Sequence, residues 1–438
     1  MSMARIWNGS PLGFTKDGKP ITWDGNEPTL IFGPPGSFKT VGYVCTSLLD
    51  DDGGKRSYLV IDPKGEVAAI TARFRRSLPG HEVKIINPYG VLVDERPDLK
   101  SDGWNPLAAL DPQSLTFGDE CQALGDALIK TGSNETQPHF PDSARSGITA
   151  TTMFEVRDAK AAGRAPSLPF VRGVLTQEPK KLKTSVRKMV NCGDFDIATR
   201  AAKFLADNNE IQGIKSTIET QTAWMTKLMR DDMTAAGAVD FNRFATHPTT
   251  CYVIVPTSEL QAKGTYLRLV LAAALRALYR HDGVPATLIV EEGFVLGHHA
   301  EIEAAASILR GYNSRFTIVF QSLQQAKKLY PETWGLFTGG AVLGFRPADL
   351  ETAKWMTEKA GKVTVPVYGA SDPRPGEPVG QGGWQQRERD RIPLASMFGM
   401  PRGRALVWLP HDGKPRMAWV RGYFEIPKLA ARADPNPY

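Results

Sequence analysis

Little in this chain is suited to covalent or metal cross-linking. Its 438 residues include four cysteines, Cys45, Cys121, Cys192 and Cys251, far apart and in no metal-ligand spacing. A disulfide framework and a structural zinc site are therefore not expected, and a reducing cytosol suits the sequence best. Long hydrophobic runs are also missing. Met1 to Gly13 lacks an apolar core of signal-peptide length, and the most apolar helix-like stretch, Tyr266 to Tyr279, is short and carries Arg268 and Arg276. No targeting peptide and no transmembrane segment are expected, so the reading is of a soluble, cytoplasmic protein. No internal repeat is visible, which excludes a repeat array.

What is present is ordinary globular material. Hydrophobic residues make up 42% and charged residues 23%, enough apolar material for a core. The length suits one large α/β domain plus an insert. The net charge of +6 permits contact with nucleic acid or an anionic membrane surface without requiring either.

Short β-rich runs alternate with helical patterns, the signature of a parallel sheet built from βαβ units. The runs are Thr29–Phe32, Tyr58–Ile61, Glu82–Ile86, Cys251–Val255, Ala286–Val290, Phe316–Phe320 and Ala341–Phe345. From about Leu110 to Ala235 this β signal disappears. Apolar residues there recur at helical spacing, as in Cys121, Leu124 and Leu128, then Ile214, Ile218, Met225 and Leu228. Trp224 and Met225 are expected to pack the core from within a helix. A Pro/Gly-rich loop covers about Tyr368 to Gly383, and a hairpin, Ala405–Leu409 with Arg416–Val420, turns at Asp412-Gly413. The expected organisation is a first part of a nucleotide-binding domain over residues 1–109, an all-α insertion over 110–235, and the second part over 236–438.

The phosphate site is read from Gly33-Pro34-Pro35-Gly36-Ser37-Phe38-Lys39-Thr40, set between a strand and a helix. A P-loop turns backbone N–H groups inward around phosphates at a helix N-terminus. In that reading Lys39 reaches the β- and γ-phosphates of ATP and the Thr40 hydroxyl holds Mg²⁺. The usual pattern has Gly before the Lys, and Phe38 stands there instead. Its N–H remains available, but its ring must point away from the nucleotide. A second site belongs at the carboxyl end of another buried strand. Thr287-Leu288-Ile289-Val290 runs into Glu291-Glu292. Glu291 is assigned to the magnesium shell, where Asp is usual, and Glu292 to the attacking water.

Further blocks resemble the coupling proteins of type IV secretion and conjugation systems. They begin with Ile61-Asp62-Pro63-Lys64-Gly65-Glu66, Thr71-Ala72 and Arg76, then Trp104-Asn105-Pro106-Leu107 and Phe140 to Arg145. After the acidic pair come Leu296-Gly297, Arg310-Gly311-Tyr312, Gln321-Ser322 and Tyr330. Asp349 with Thr352-Ala353, Gly361 and Thr364-Val365 extend the match. Each block is weak alone, but their order is specific, and the resemblance spans about Ile31 to Phe424.

The resemblance implies a RecA-like P-loop nucleotide-binding domain carrying an all-α domain, and assembly into a ring, usually a hexamer, with ATP between subunits. By position it makes Arg310 the residue that approaches a neighbour's γ-phosphate and Gln321 a sensor of the γ-phosphate or its water. It implies an ATPase that hands a relaxase–single-stranded DNA complex, or a protein substrate, to the components of a type IV secretion channel. Family members usually carry N-terminal transmembrane helices. Their lack here points to a naturally soluble branch, to a trimmed chain, or to a partner that holds the protein peripherally at the inner membrane.

Phe38 and Glu291 keep a second class of function open, a non-hydrolysing platform that uses nucleotide only to assemble. A generic double-stranded DNA translocase is a third, disfavoured by the Asp62–Glu66 block and the helical insertion. The densest basic cluster, Lys180-Lys181-Leu182-Lys183 with Arg187 and Lys188, reads equally as a surface for a phosphate backbone or acidic cargo and as a solvated helix face. No aromatics are interleaved for base stacking. His298 and His299 read as polar loop residues.

Overall fold

The apolar runs become strands because four- to six-residue stretches of β-branched and aromatic side chains end at Gly, Pro or acidic residues. A computed structural model describes residues 5–50, 53–130, 139–206, 208–234, 239–260, 262–280, 283–369 and 383–438. Most of the Pro/Gly-rich loop, residues 370–382, lies outside the described residues. The strands are β1 (Ser10–Phe14), β2 (Pro20–Trp23), β3 (Thr29–Phe32), β4 (Ser57–Ile61), β5 (Glu82–Ile86), β6 (Thr249–Val253), β7 (Ala286–Val290), β8 (Arg315–Phe320), β9 (Val342–Phe345), β10 (Lys362–Gly369), β11 (Gly383–Asp390), β12 (Arg404–Trp408) and β13 (Arg416–Trp419). β6 begins two residues earlier than its apolar run suggests, because Thr249 and Thr250 are buried and pair with the neighbouring strand. β1 and β2 carry Gly and Pro and have no clear apolar alternation, so neither has a local strand signal.

The chain divides into two compact units. One comprises Met1–Asp51, Glu292–Phe294 and Phe316–Ala431. Its sheet runs β2-β1-β13-β12-β9-β3-β8. β3 is parallel to both β8 and β9, and the remaining pairs are antiparallel, including the β12–β13 hairpin. β10 and β11 pair as a separate two-stranded ribbon. β3 is buried along its whole length, as expected for a parallel strand covered on both faces.

The other unit comprises Asp52–Glu291, Val295–Arg315 and Arg432–Tyr438. Its parallel strands run β7-β4-β6-β5. From Phe117 to Thr234 every regular element among the described residues is a helix. Several start at side-chain caps: Ser167 accepts from the Phe170 N–H, Asp194 from Ile197 and Asn208 from Ile211, which satisfies backbone donors that the first helical turn leaves open. Glycine lets the helices approach. A Cβ on Gly125 of Phe117–Leu128 would lie 2.9 Å from the Thr149 hydroxyl and 3.1 Å from the Arg145 carbonyl of His139–Ala161. Trp224 and Met225 are buried core residues but lie in the turn between Asn209–Gln221 and Lys227–Thr234, not within a helix. Burial of the Trp224 ring beside Tyr266, at 5.7 Å, holds that turn.

Candidate nucleotide site

β3 ends at Phe32, and the following loop is positioned by its neighbour. Phe32 pairs with Phe320 of β8, and the Gly33 N–H donates to the Phe320 carbonyl at 3.3 Å. Gly33 and Gln321 thus leave adjacent parallel strands side by side. Gly33 has no room for a side chain, since a Cβ would sit 2.6 Å from Phe345 and 2.8 Å from the Ser37 hydroxyl. Gly36 turns the loop with a φ of 75°.

Phe38 also lies in the left-handed region, with a φ of 73°. Residues with a Cβ avoid this region at a cost of about 1–2 kcal/mol. The usual Gly of the pattern therefore marks a conformation that the loop keeps even with Phe in place. The Phe38 ring packs near Phe424, with centroids 6.3 Å apart, and beneath the Arg402 guanidinium at 4.9 Å. Arg402 also donates through Nε to the Gly36 carbonyl at 3.1 Å. Sequence reasoning missed Arg402, which is hundreds of positions from the loop and has no local pattern around it.

Lys39 is buried, and its Nζ donates to the Gly33 and Pro34 carbonyls at 2.6 and 2.8 Å, with the Ser37 hydroxyl at 3.4 Å. Thr40 opens a π-helical turn, Thr40–Val44, that continues as the α-helix Cys45–Leu49. Wider turns of this kind recur at functional sites. A cavity of about 330 Å³ borders the loop from Pro34 to Ser37, with Arg346 and Arg402 on its wall.

Glu292, Gly293 and Phe294 belong to the same unit as this loop. Glu292 has a φ of 57°, a second non-glycine in the left-handed region. Its carboxylate accepts from the Gln321 amide at 3.1 Å, while the Gln321 N–H donates to the Gln325 side chain at 2.9 Å. Lys39, Thr40, Glu292 and Gln321 thus all stand in one unit.

Glu291 and Arg310 fall in the other unit. Glu291 is buried at the end of β7, and its N–H donates to Ile61 of β4 at 3.2 Å. Arg310 is exposed on the short 3₁₀ turn Leu309–Tyr312. At the end of β4 in this unit, Asp62 is fully buried, and one carboxylate oxygen accepts from the Ala68 N–H at 2.8 Å. Burial pushes its pKa up to about 7, against the pull of backbone donors. The sequence placed Asp62 in a family block but did not show its burial. His299 differs from its polar-loop reading. It is buried, its Nε2 lies 3.0 Å from the Leu296 carbonyl, and burial lowers its pKa to about 3, so the ring stays neutral. On Pro179–Val190 the apolar Leu182, Val186 and Met189 face inward, leaving Lys180, Lys181, Arg187 and Lys188 exposed.

Over residues 4–379 the chain matches the family model for type IV secretory system conjugative DNA transfer. The chain belongs to that family. It is 22% identical over 355 residues to the conjugal transfer protein TraG of Rhizobium radiobacter, covering 78% of this chain and 53% of that one. It is 20% identical over 432 residues to the type IV secretion system-coupling protein VirD4 of Bartonella quintana, covering 94% and 65%. The family member described here thus spans about half to two thirds of the length of these relatives. The solved plasmid coupling protein TrwB, in complex with ADP and Mg²⁺, aligns with a TM-score of 0.65 at 14% identity over 94% of this chain and 89% of that one. That likeness establishes the fold, a RecA-like P-loop α/β architecture with a helical domain. Among the described residues no helix is long and apolar enough to cross a membrane.

Proposed function

We propose that this coupling protein is an ATP-driven motor that delivers a relaxase–single-stranded DNA complex, or a protein substrate, to a type IV secretion channel. The observation that carries the reading is the hydrogen bond from Gln321 to Glu292 at the end of the strand beside the phosphate loop. A carboxylate oriented by an amide suits a group that must align one water for in-line attack.

The residues fit ATP and Mg²⁺. Gly33 and Gly36 put no side chain at two positions of the loop, and the Lys39 ammonium already donates to two loop carbonyls, acceptors whose place phosphate oxygens can take. When bound, the metal screens phosphate charge. Thr40 would hold it, Glu292 would orient the water, and Gln321 would fix Glu292. Arg310 of a neighbouring subunit in a hexameric ring would neutralise charge developing on the transferred phosphoryl group. The protein would work at the cytoplasmic face of the inner membrane, held there through its partners. The family relationship and the RecA-like fold support this assignment.

The left-handed φ at Phe38 favours a second reading, a nucleotide-dependent recruitment platform without turnover. Steady-state ATP hydrolysis with and without single-stranded DNA separates the two. Turnover should rise with DNA and fall about 10²–10³-fold in Lys39→Ala and Glu292→Gln. Tight ATP binding with no turnover under any condition would sink the motor and leave the platform.

A further inference from the structure

A cavity of about 680 Å³ opens in the second unit among the helices Phe117–Leu128, His139–Ala161, Gly264–Arg280 and Ala300–Ile308. Lys130, Arg145, Arg268 and Arg276 line it, against the carboxylates of Asp126 and Glu301. Arg145 is engaged with Asp142 at 2.6 Å and with the Ile129 carbonyl at 3.0 Å. The other three cations form no ion pair among the described residues. The Lys130 ammonium reaches only the His298 carbonyl, at 3.4 Å, and Arg276 only a carbonyl of its own helix, Ala272, at 3.3 Å. Arg268 is buried and bonds the Thr265 hydroxyl at 3.1 Å, while its Nε has no hydrogen-bond partner among the described residues.

Such an arrangement opposes folding. A buried guanidinium donor without a partner carries its full desolvation cost. Burial lowers the proton affinity of all three cations, helped for Lys130 by the nearby Arg268 and for Arg276 by Arg280. Cations gathered in a concave, partly dry site make sense where an anion will be held.

We propose that this cavity binds a phosphate ester of nucleotide size. Two guanidinium forks from Gly264–Arg280 and an ammonium from just beyond Phe117–Leu128 match a tetrahedral oxyanion better than a single planar carboxylate. The volume lies in the range of small-ligand sites, about 300–1,000 Å³. The rest of the wall suits the body of such a ligand. Ala127, Ala272 and Leu275 are apolar, and Tyr279, tilted against Tyr312 at 4.9 Å, offers an aromatic surface for a base. The Tyr279 hydroxyl also has no hydrogen-bond partner among the described residues. The ligand is either a free nucleotide or one nucleotide unit of a single strand.

Equilibrium binding of thymidine 5′-monophosphate and of a short oligothymidylate to the full chain carrying Lys39→Ala tests the site without the phosphate loop. The monophosphate should bind, and Arg268→Gln or Arg276→Gln should weaken it at least about tenfold, with Arg268→Lys retaining part of the affinity. Tighter binding of the oligonucleotide, weakened by the same substitutions, would assign the source to a strand. Equal or weaker binding would assign it to a free nucleotide. The unfolding midpoint of Arg268→Gln should match or exceed that of its parent. Affinities for both probes unmoved by the Gln substitutions, or a lowered midpoint with binding intact, would make these cations structural and overturn the site.

Discussion

Phe38 holds a φ of 73° with its ring supported by Phe424 and Arg402, so its two replacements should part company. Phe38→Ala loses the ring contacts and keeps the left-handed strain, whereas Phe38→Gly loses the contacts and releases the strain. Urea unfolding should place Phe38→Gly about 1 kcal/mol above Phe38→Ala; the reverse order would mean that the loop relaxes once the ring is gone. Asp62 gives a pH signature at the same scale. Its folded pKa, near 7, exceeds the unfolded value near 3.8, so the native state holds a proton that the unfolded chain has released. The contribution is fully present below about 3.8 and is lost as pH rises toward 7. Asp62→Asn, which can still accept from the Ala68 N–H, should remove this fall from the stability–pH curve across that window. An unchanged slope would show that Asp62 ionises freely in the native protein.

Among the elements, the parallel strands β3 and β8 position the proposed site, because their register brings Gly33 and Gln321 out together. The helix Leu350–Ala360 steadies that end of the sheet through its cap. Asp349 accepts from both the N–H and the hydroxyl of Thr352 at 2.8 Å, and the Thr352 hydroxyl accepts from the Leu323 N–H at 3.1 Å. Asp349→Ala should cost about 1–2 kcal/mol in a denaturant titration. Thr352→Val should leave the cap carboxylate on its N–H but strand the buried Leu323 donor, with a loss of similar size. A neutral result for either would remove the chain from cap to β8 as a support. The π-helical turn at Thr40 is, like β1 and β2, an element whose type no local pattern announced. Its residues, Thr-Val-Gly-Tyr-Val, read as an ordinary helix start.

For the whole molecule, the proposed ring gives Arg310 and Glu292 their roles on different subunits. Arg310→Ala and Glu292→Gln should each be inactive alone. Mixed before assembly, they should recover part of the turnover, because some interfaces then join an intact Glu292 to an intact Arg310. Turnover that stays flat on mixing would place both groups in one subunit or remove Arg310 from the reaction. Specific activity should also rise with protein concentration as the ring forms.

Composition and periodicity made the α/β class, the parallel strands and the helical stretch legible, because fully buried strands must be written in apolar runs and helices in spaced ones. The strand–turn–helix segment of the proposed phosphate loop was legible for a related reason. Its glycines, Lys39 and Thr40 act through local backbone geometry, so their spacing survives in the sequence. The same local logic left β1 and β2 unread, since they hold their places by pairing with β13 and each other rather than by their own pattern. Only the tertiary structure decided that Gln321 meets Glu292, that Arg402 covers Phe38, that Asp62 and His299 are buried, and that Lys130, Arg268 and Arg276 face one cavity. Each of these depends on residues far apart in the chain, whose distances are set by packing and strand register.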